Sequence, residues 1–188
     1  MFLTIPTIMT WARIVAIPLI VGVFYLPIEP ASRNLVATVM FVVFAATDWL
    51  DGYLARKLNQ VSSFGAFLDP VADKFLVCAC VLVLVHLGRT DVFVALIIIG
   101  REIAISALRE WMAQIGAARS VAVNMIGKLK TVVQMVAIGF LLFDGMLLGL
   151  IDTHLVGAWL IWIAAIMTVW SMVYYLRKAL PEIRARAR

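Results

Sequence analysis

The chain has 188 residues, 64% of them hydrophobic and only 14% charged, with a formal net charge of +5 and a mean hydropathy of +1.04. Those figures exclude an ordinary soluble domain and point to one that lives in lipid, with its basic excess serving the membrane rather than nucleic acid. The two cysteines, Cys78 and Cys80, are two apart in a helical stretch, hence on nearly opposite faces, and offer neither a disulfide nor a thiolate metal pair.

Six helices are predicted, over about 7–27, 34–57, 70–88, 91–113, 122–143 and 153–178, each near the roughly 20 residues that cross hydrocarbon. The alternation of a β-barrel is absent, and a membrane span must satisfy its backbone internally, so the fold class is an all-α integral membrane protein. The whole chain, 1–188, is read as a single membrane domain. In the first helix Arg13 follows the leading apolar stretch rather than preceding it, so this helix is expected to stay in place rather than act as a cleaved signal.

The charges of the next four helices share one pattern. Asp48, Asp51 and Arg56 close the second, Asp73 and Lys74 open the third, Arg101, Glu102 and Arg109 occupy the later part of the fourth, and Lys128 and Lys130 open the fifth. For helices that alternate in direction, all of these fall on one side, which predicts a bundle closed at one end with a polar cavity at the other. The sixth helix holds the sole uncharged run longer than 18 residues, Leu155–Leu176. Its Trp159, Trp162, Trp170, Tyr174 and Tyr175 are expected to face lipid or the interface. His86 and His154 fall at the predicted outer ends.

With the amino terminus inside, 14 of the 16 basic residues lie in inner regions, and the outer turns keep only Arg33 and Arg89. By the positive-inside rule both termini and the polar cavity face the cytoplasm. The basic tail Arg184, Arg186 and Arg188 then lies on the anionic inner leaflet, each charge contributing on the order of 1 kcal/mol.

Carboxylates at such a position need compensation. An Asp near the centre of a membrane helix costs roughly 2.5–3.5 kcal/mol, so four of them would cost on the order of 10 kcal/mol if left unpaired. Asp48, Asp51, Gly52 and Ala55 stand at i, i+3, i+4 and i+7, one helix face, while Asp69 and Asp73 are one turn apart on the next helix. The polar stretch 57–68 turns the chain and brings the two acidic faces together. Four carboxylates suit two divalent cations, and hard oxygen ligands favour Mg²⁺ or Mn²⁺. A pair of such ions can clamp a diphosphate during an in-line displacement. Gly52 and Ala55 leave room for a ligand against the backbone, and Arg56 can grip phosphate oxygens bidentately.

The pattern Asp48-x2-Asp51-Gly52-x2-Ala55-Arg56-x8-Gly65-x3-Asp69-x3-Asp73 resembles the complete signature of the CDP-alcohol phosphatidyltransferases. Eight fixed residues at fixed spacing make that resemblance specific. The stretch from Arg101 to Trp111, the run from Gly127 to Thr131 and the start Ile5-Pro6-Thr7 are similar to the bacterial branch of the family that uses glycerol 3-phosphate. The resemblance implies transfer of the phosphatidyl group of CDP-diacylglycerol to glycerol 3-phosphate with release of CMP, in the cytoplasmic (inner) membrane of a bacterium. It implies that Asp48, Asp51, Asp69 and Asp73 hold the metals, that Asp73 also accepts the proton of the attacking hydroxyl, and that Gly52, Ala55, Arg56 and Ser62 hold the CDP-alcohol.

The acceptor's own phosphate needs separate cations, and Arg101, Arg109, Lys128 and Lys130 are expected to supply them, with Glu102 orienting Ser106 or Arg109. Serine or inositol phosphate as acceptor, an aspartate-rich prenyltransferase and a cation transporter are the rival readings. The family often forms homodimers, which the small residues on apolar faces permit here.

Overall fold

The computed structural model describes residues 5–57, 63–117 and 125–186, with the backbone alone for 5, 6, 48–56, 63, 66, 125, 126, 128, 185 and 186. Six helices account for nearly all of it: α1 (Ile5–Val23), α2 (Pro30–Lys57), α3 (Ser63–His86), α4 (Val92–Gln114), α5 (Met125–Phe143) and α6 (Thr153–Arg186). Between α5 and α6 the strands β1 (Met146–Leu147) and β2 (Ile151–Asp152) form an antiparallel ribbon. Two helices, through Pro30–Thr47 and Thr153–Arg184, are long and apolar enough to cross a membrane; Thr7–Val23 and Leu129–Phe143 are shorter apolar stretches.

Several helix ends depart from the sequence expectation. α2 starts at Pro30 rather than near residue 34, because proline at the first helical position gives up an N–H that has no helical partner anyway. α3 starts at Ser63 and carries Pro70 inside it, so Asp69 and Asp73 both belong to one continuous helix. α6 continues past residue 178 to Arg186, through Pro181. The ribbon is absent from the sequence reading. Its tip takes left-handed backbone at Leu148 (φ 54°) and Gly149 (φ 69°), the two central positions of a type I′ turn.

α5 and α6 share the most extensive interface, α1 lies against both α2 and α3, and α4 rests on α6. A core of Ile17, Ile20, Phe41, Leu76, Ile98 and Leu141 runs through one end of the bundle, and a smaller cluster around Ile105, Met112 and Tyr175 joins α4 to α6 at the other. Tyr175 is thus buried, contrary to the expectation that it faces lipid. Trp159, Trp162 and Trp170 are exposed as expected.

The core end is closed by Arg89. α3 finishes in a Schellman turn, with Gly88 at φ 69° and the Arg89 N–H donating to the Leu84 carbonyl at 2.9 Å. That turn delivers the Arg89 guanidinium to the last carbonyls of α5, at 3.0 Å from both Leu141 O and Leu142 O, and to Asn34 Oδ1 at 2.8 Å and Asp144 Oδ2 at 3.0 Å. Burial lowers the Arg89 pKa from its usual value, and Asp144 pushes it back up.

Close approach of α5 and α6 depends on Gly157. A Cβ there would stand 2.9 Å from Leu141 Cγ and 3.2 Å from the Leu141 backbone nitrogen. Gly157→Val is therefore expected to force the helices apart and cost roughly 1–3 kcal/mol. At Gly139 an added Cβ meets the Phe41 ring at an ordinary 3.8 Å, so Gly139→Ala should be tolerated and gain up to about 1 kcal/mol of helix propensity. Thermal unfolding in detergent compares the two; equal behaviour would show that the Gly157 contact does not limit packing.

Candidate active site

α1 and α3 meet through two polar rungs. Thr7, Thr10 and Arg13 recur every three residues on one face of α1 and are all buried. The Thr10 hydroxyl donates to Asp69 Oδ1, and Arg13 Nη1 donates to Asp73 Oδ1 at 2.5 Å. Arg13 has no exposed side-chain surface, whereas 41% of the Asp73 side chain remains open. The sequence reading treats Arg13 as a topology signal. In the structure it is instead the cation that faces the carboxylate expected to act as base.

Asp73 opens onto a cavity of about 240 Å³ between α3, α4 and α5. α3 contributes Asp73 and Lys74, α4 contributes Arg101, Glu102 and Arg109, and α5 contributes Lys130, Thr131 and Gln134. The four cations stand against two carboxylates, leaving an excess of two positive charges, the complement of a phosphate monoester dianion.

Glu102 organises the cations. Its Oε1 accepts from Lys130 Nζ at 2.6 Å and from Arg101 Nη1 at 3.1 Å. This corrects the expected pairing with Ser106 or Arg109: the Ser106 hydroxyl instead donates to the Glu102 carbonyl at 2.5 Å, and the Arg109 guanidinium lies 5.4 Å from the centroid of the Tyr175 ring. Arg101 also reaches Ser171 Oγ on α6, at 3.3 Å. After these contacts Arg101 Nε, Arg109 Nε and Gln134 Oε1 are buried without a hydrogen-bond partner among the described residues.

Of the expected acceptor-phosphate set, Arg101, Arg109 and Lys130 therefore share one cavity with Asp73. The Lys128 side chain lies outside the described residues. So do the side chains of Asp48, Asp51, Ala55 and Arg56, the surroundings of Gly52, and Ser62 altogether; the α2 backbone is helical through Lys57. Among the described residues no three His, Cys, Asp or Glu side chains cluster as a metal site. Asp69 and Asp73 are hard oxygen donors one turn apart, chemically suited to Mg²⁺ or Mn²⁺.

Thr10, Arg13, Gln134 and Tyr175 are the site residues that sequence reasoning misses. The signal for α1 was the stripe of Thr7, Thr10 and Arg13 on an apolar helix. For Gln134 it was the one-turn spacing from Lys130.

The burial of Lys130, 1% exposed, makes its pair with Glu102 testable. Glu102→Gln leaves Arg101 and Lys130 together with no carboxylate between them and is expected to cost about 3–5 kcal/mol. Adding Lys130→Met should recover at least about 1 kcal/mol of that loss. Strictly additive losses in thermal unfolding would show that the two side chains are uncoupled.

The family model described as CDP-alcohol phosphatidyltransferase matches residues 3–170. Among curated proteins, the CDP-diacylglycerol–glycerol-3-phosphate 3-phosphatidyltransferase of Shigella flexneri serotype 5b is 49% identical over 181 residues, covering 95% of this chain and 96% of that one. Its counterpart in Salmonella choleraesuis is 50% identical over 177 residues, 93% of this chain and 94% of that one. The Haemophilus influenzae protein of the same name is 46% identical over 179 residues, 93% and 92% respectively.

Proposed function

The chain belongs to the CDP-alcohol phosphatidyltransferase family, and from that premise we propose that it transfers the phosphatidyl group of CDP-diacylglycerol to glycerol 3-phosphate. The observation that carries the reading is the cavity in which Arg101, Arg109 and Lys130 gather beside Asp73. An anionic acceptor can dock its phosphate there with its hydroxyl near a carboxylate. Relatives about half identical over nearly the whole chain carry the name of that reaction, which supports glycerol 3-phosphate over serine or inositol phosphate.

A bilayer setting is supported by the outer surface. Each helix exposes large apolar side chains, among them Leu19, Val39, Phe75, Leu96, Val132 and Trp162, a surface that a soluble monomer does not carry. We read all six helices as spans of a bacterial cytoplasmic membrane, with both termini and the cavity on the cytoplasmic side, where most of the basic residues fall. The donor's acyl chains then stay in the bilayer while the water-soluble acceptor enters from the cytoplasm.

In the proposed reaction Arg101, Arg109 and Lys130, and Lys128 by its expected role, hold the acceptor phosphate. The acceptor hydroxyl attacks the phosphorus bearing the diacylglycerol, and the bond from that phosphorus to CMP breaks. Asp73 takes the hydroxyl proton, and Arg13 orients it by holding Oδ1. Gly52, Ala55, Arg56 and Ser62 receive the CDP part of the donor. The family generally uses divalent cations; Asp48, Asp51, Asp69 and Asp73 would hold two, and when bound they would neutralise the diphosphate.

Purified protein in detergent, given CDP-diacylglycerol, Mg²⁺ and glycerol 3-phosphate, is expected to release CMP, and EDTA should stop the release. No release with any acceptor would sink the enzyme reading; release with serine alone would keep the family and refute the acceptor. Asp73→Asn should lower kcat by about 10²–10⁴, the usual contribution of a general base, while donor binding persists. Undiminished turnover would remove Asp73 from that role.

A further inference from the structure

We propose that Gln134 and Glu102 recognise the acceptor hydroxyl that does not react, so that the cavity selects a phosphate bearing two neighbouring hydroxyls over one bearing a single hydroxyl. The inference rests on the reading of this cavity as the acceptor site. Its basis is a donor and acceptor inventory of the cavity wall.

A phosphate needs donors, and the Arg101 and Arg109 guanidinium groups and the Lys130 ammonium, which line the cavity, provide them. Two acceptors on the same wall, the Glu102 carboxylate and the Gln134 amide oxygen, have nothing to offer a phosphate. Glu102 is an acceptor only, and both of its cationic partners converge on Oε1, which leaves Oε2 without a hydrogen bond among the described residues. Gln134 is 2% exposed, its side chain makes no hydrogen bond among the described residues, and its Oε1 is buried and unpartnered. An unpaired buried amide oxygen is costly, and a ligand hydroxyl, which can donate, is the group that would pair with it.

The register of α5 sets the order of contacts. Gln134 lies one turn beyond Lys130, about 6 Å along the helix, comparable with the span of a three-carbon phosphate. With the phosphate at Lys130 and the reacting hydroxyl directed to Asp73, the middle hydroxyl of glycerol 3-phosphate falls between the cations and the amide. Gln134 can then accept from it or donate to it, and Glu102 Oε2 can accept from it.

The test compares kcat/KM for glycerol 3-phosphate and 3-hydroxypropyl phosphate, which keeps the phosphate and the primary hydroxyl and lacks the middle one. The full chain in detergent with CDP-diacylglycerol and Mg²⁺ is expected to prefer glycerol 3-phosphate by roughly 10- to 100-fold. Gln134→Leu should bring the ratio to within about threefold by lowering the rate with glycerol 3-phosphate alone. Glu102→Gln should lower the ratio as well, with a loss for both acceptors from the disturbed Arg101 and Lys130. The ratio cancels any difference in folded fraction.

A wild-type protein that uses both acceptors equally, or a Gln134→Leu variant that keeps the wild-type ratio, overturns the proposal while leaving the reaction intact. Absence of CMP release from glycerol 3-phosphate in the wild type overturns the reaction itself. Should Gln134→Leu turn over neither acceptor, calorimetric dissociation constants for the two phosphates decide. Tight binding of glycerol 3-phosphate, undiminished from wild type, would then refute the role of Gln134.

Discussion

Charge inside a bundle with an apolar exterior has to be matched from within, and the rest of this structure follows from that constraint. All six helices turn large apolar side chains outward, so polar groups find partners only in the interior or at the ends. Two of the places where they gather differ in how fully they are matched. Around Arg89 the matching is dense: two carbonyls of α5, the Asn34 amide and the Asp144 carboxylate surround one guanidinium. In the cavity beside Asp73 it is incomplete among the described residues, with buried nitrogens of Arg101 and Arg109 and the Gln134 oxygen left over. Single hydroxyls are left over elsewhere, at Thr90 and Thr168, but three unpaired polar atoms on residues lining one cavity are what a site that receives a ligand leaves open.

The same constraint explains α1. Thr10 and Arg13 face Asp69 and Asp73 across the α1–α3 contact, rung by rung. Sliding either helix by one residue would separate both pairs at once and leave Arg13 buried without its carboxylate, a loss of several kcal/mol. The polar face of α1 therefore fixes the register in which α3 presents its aspartates, which makes α1 part of the site rather than a mere anchor.

Much of this was legible in the sequence, and the illegible part has a common cause. The position of charges along each helix follows from the chain itself, and it anticipates Arg101, Arg109 and Lys130 at one end with Asp73. Helix periodicity likewise places Asp69 and Asp73 one turn apart. What local spacing does not reveal is the choice of partner. Arg13 meets a carboxylate 60 positions away, and a lone basic residue near a membrane surface is equally well explained by topology. Glu102 prefers Lys130, 28 positions on, to the nearer Ser106 and Arg109, because α3, packed against both α4 and α5, sets the two helices around one cavity where the ammonium reaches its oxygen, while the Ser106 hydroxyl is consumed by the helix backbone. Tyr175 reads as a belt residue until α4 lays Arg109 against its ring. The ribbon between α5 and α6 has two rungs, too few for alternation to register.

On the proposed reading the helices divide the work. α2 and α3 carry the residues expected to handle the donor diphosphate, and α4 and α5 carry those that face the acceptor, with Asp73 where the two halves meet. The acceptor half sits on side chains held by one another: Glu102 ties Arg101 to Lys130, and Ser171 and Tyr175 steady the two arginines from α6. Such a wall tolerates a change at its distal positions, such as Gln134, without disturbing Asp69 or Asp73, which lean on α1 instead. Acceptor preference in this chain can therefore shift through α4 and α5 while the aspartates that serve the common chemistry stay in place.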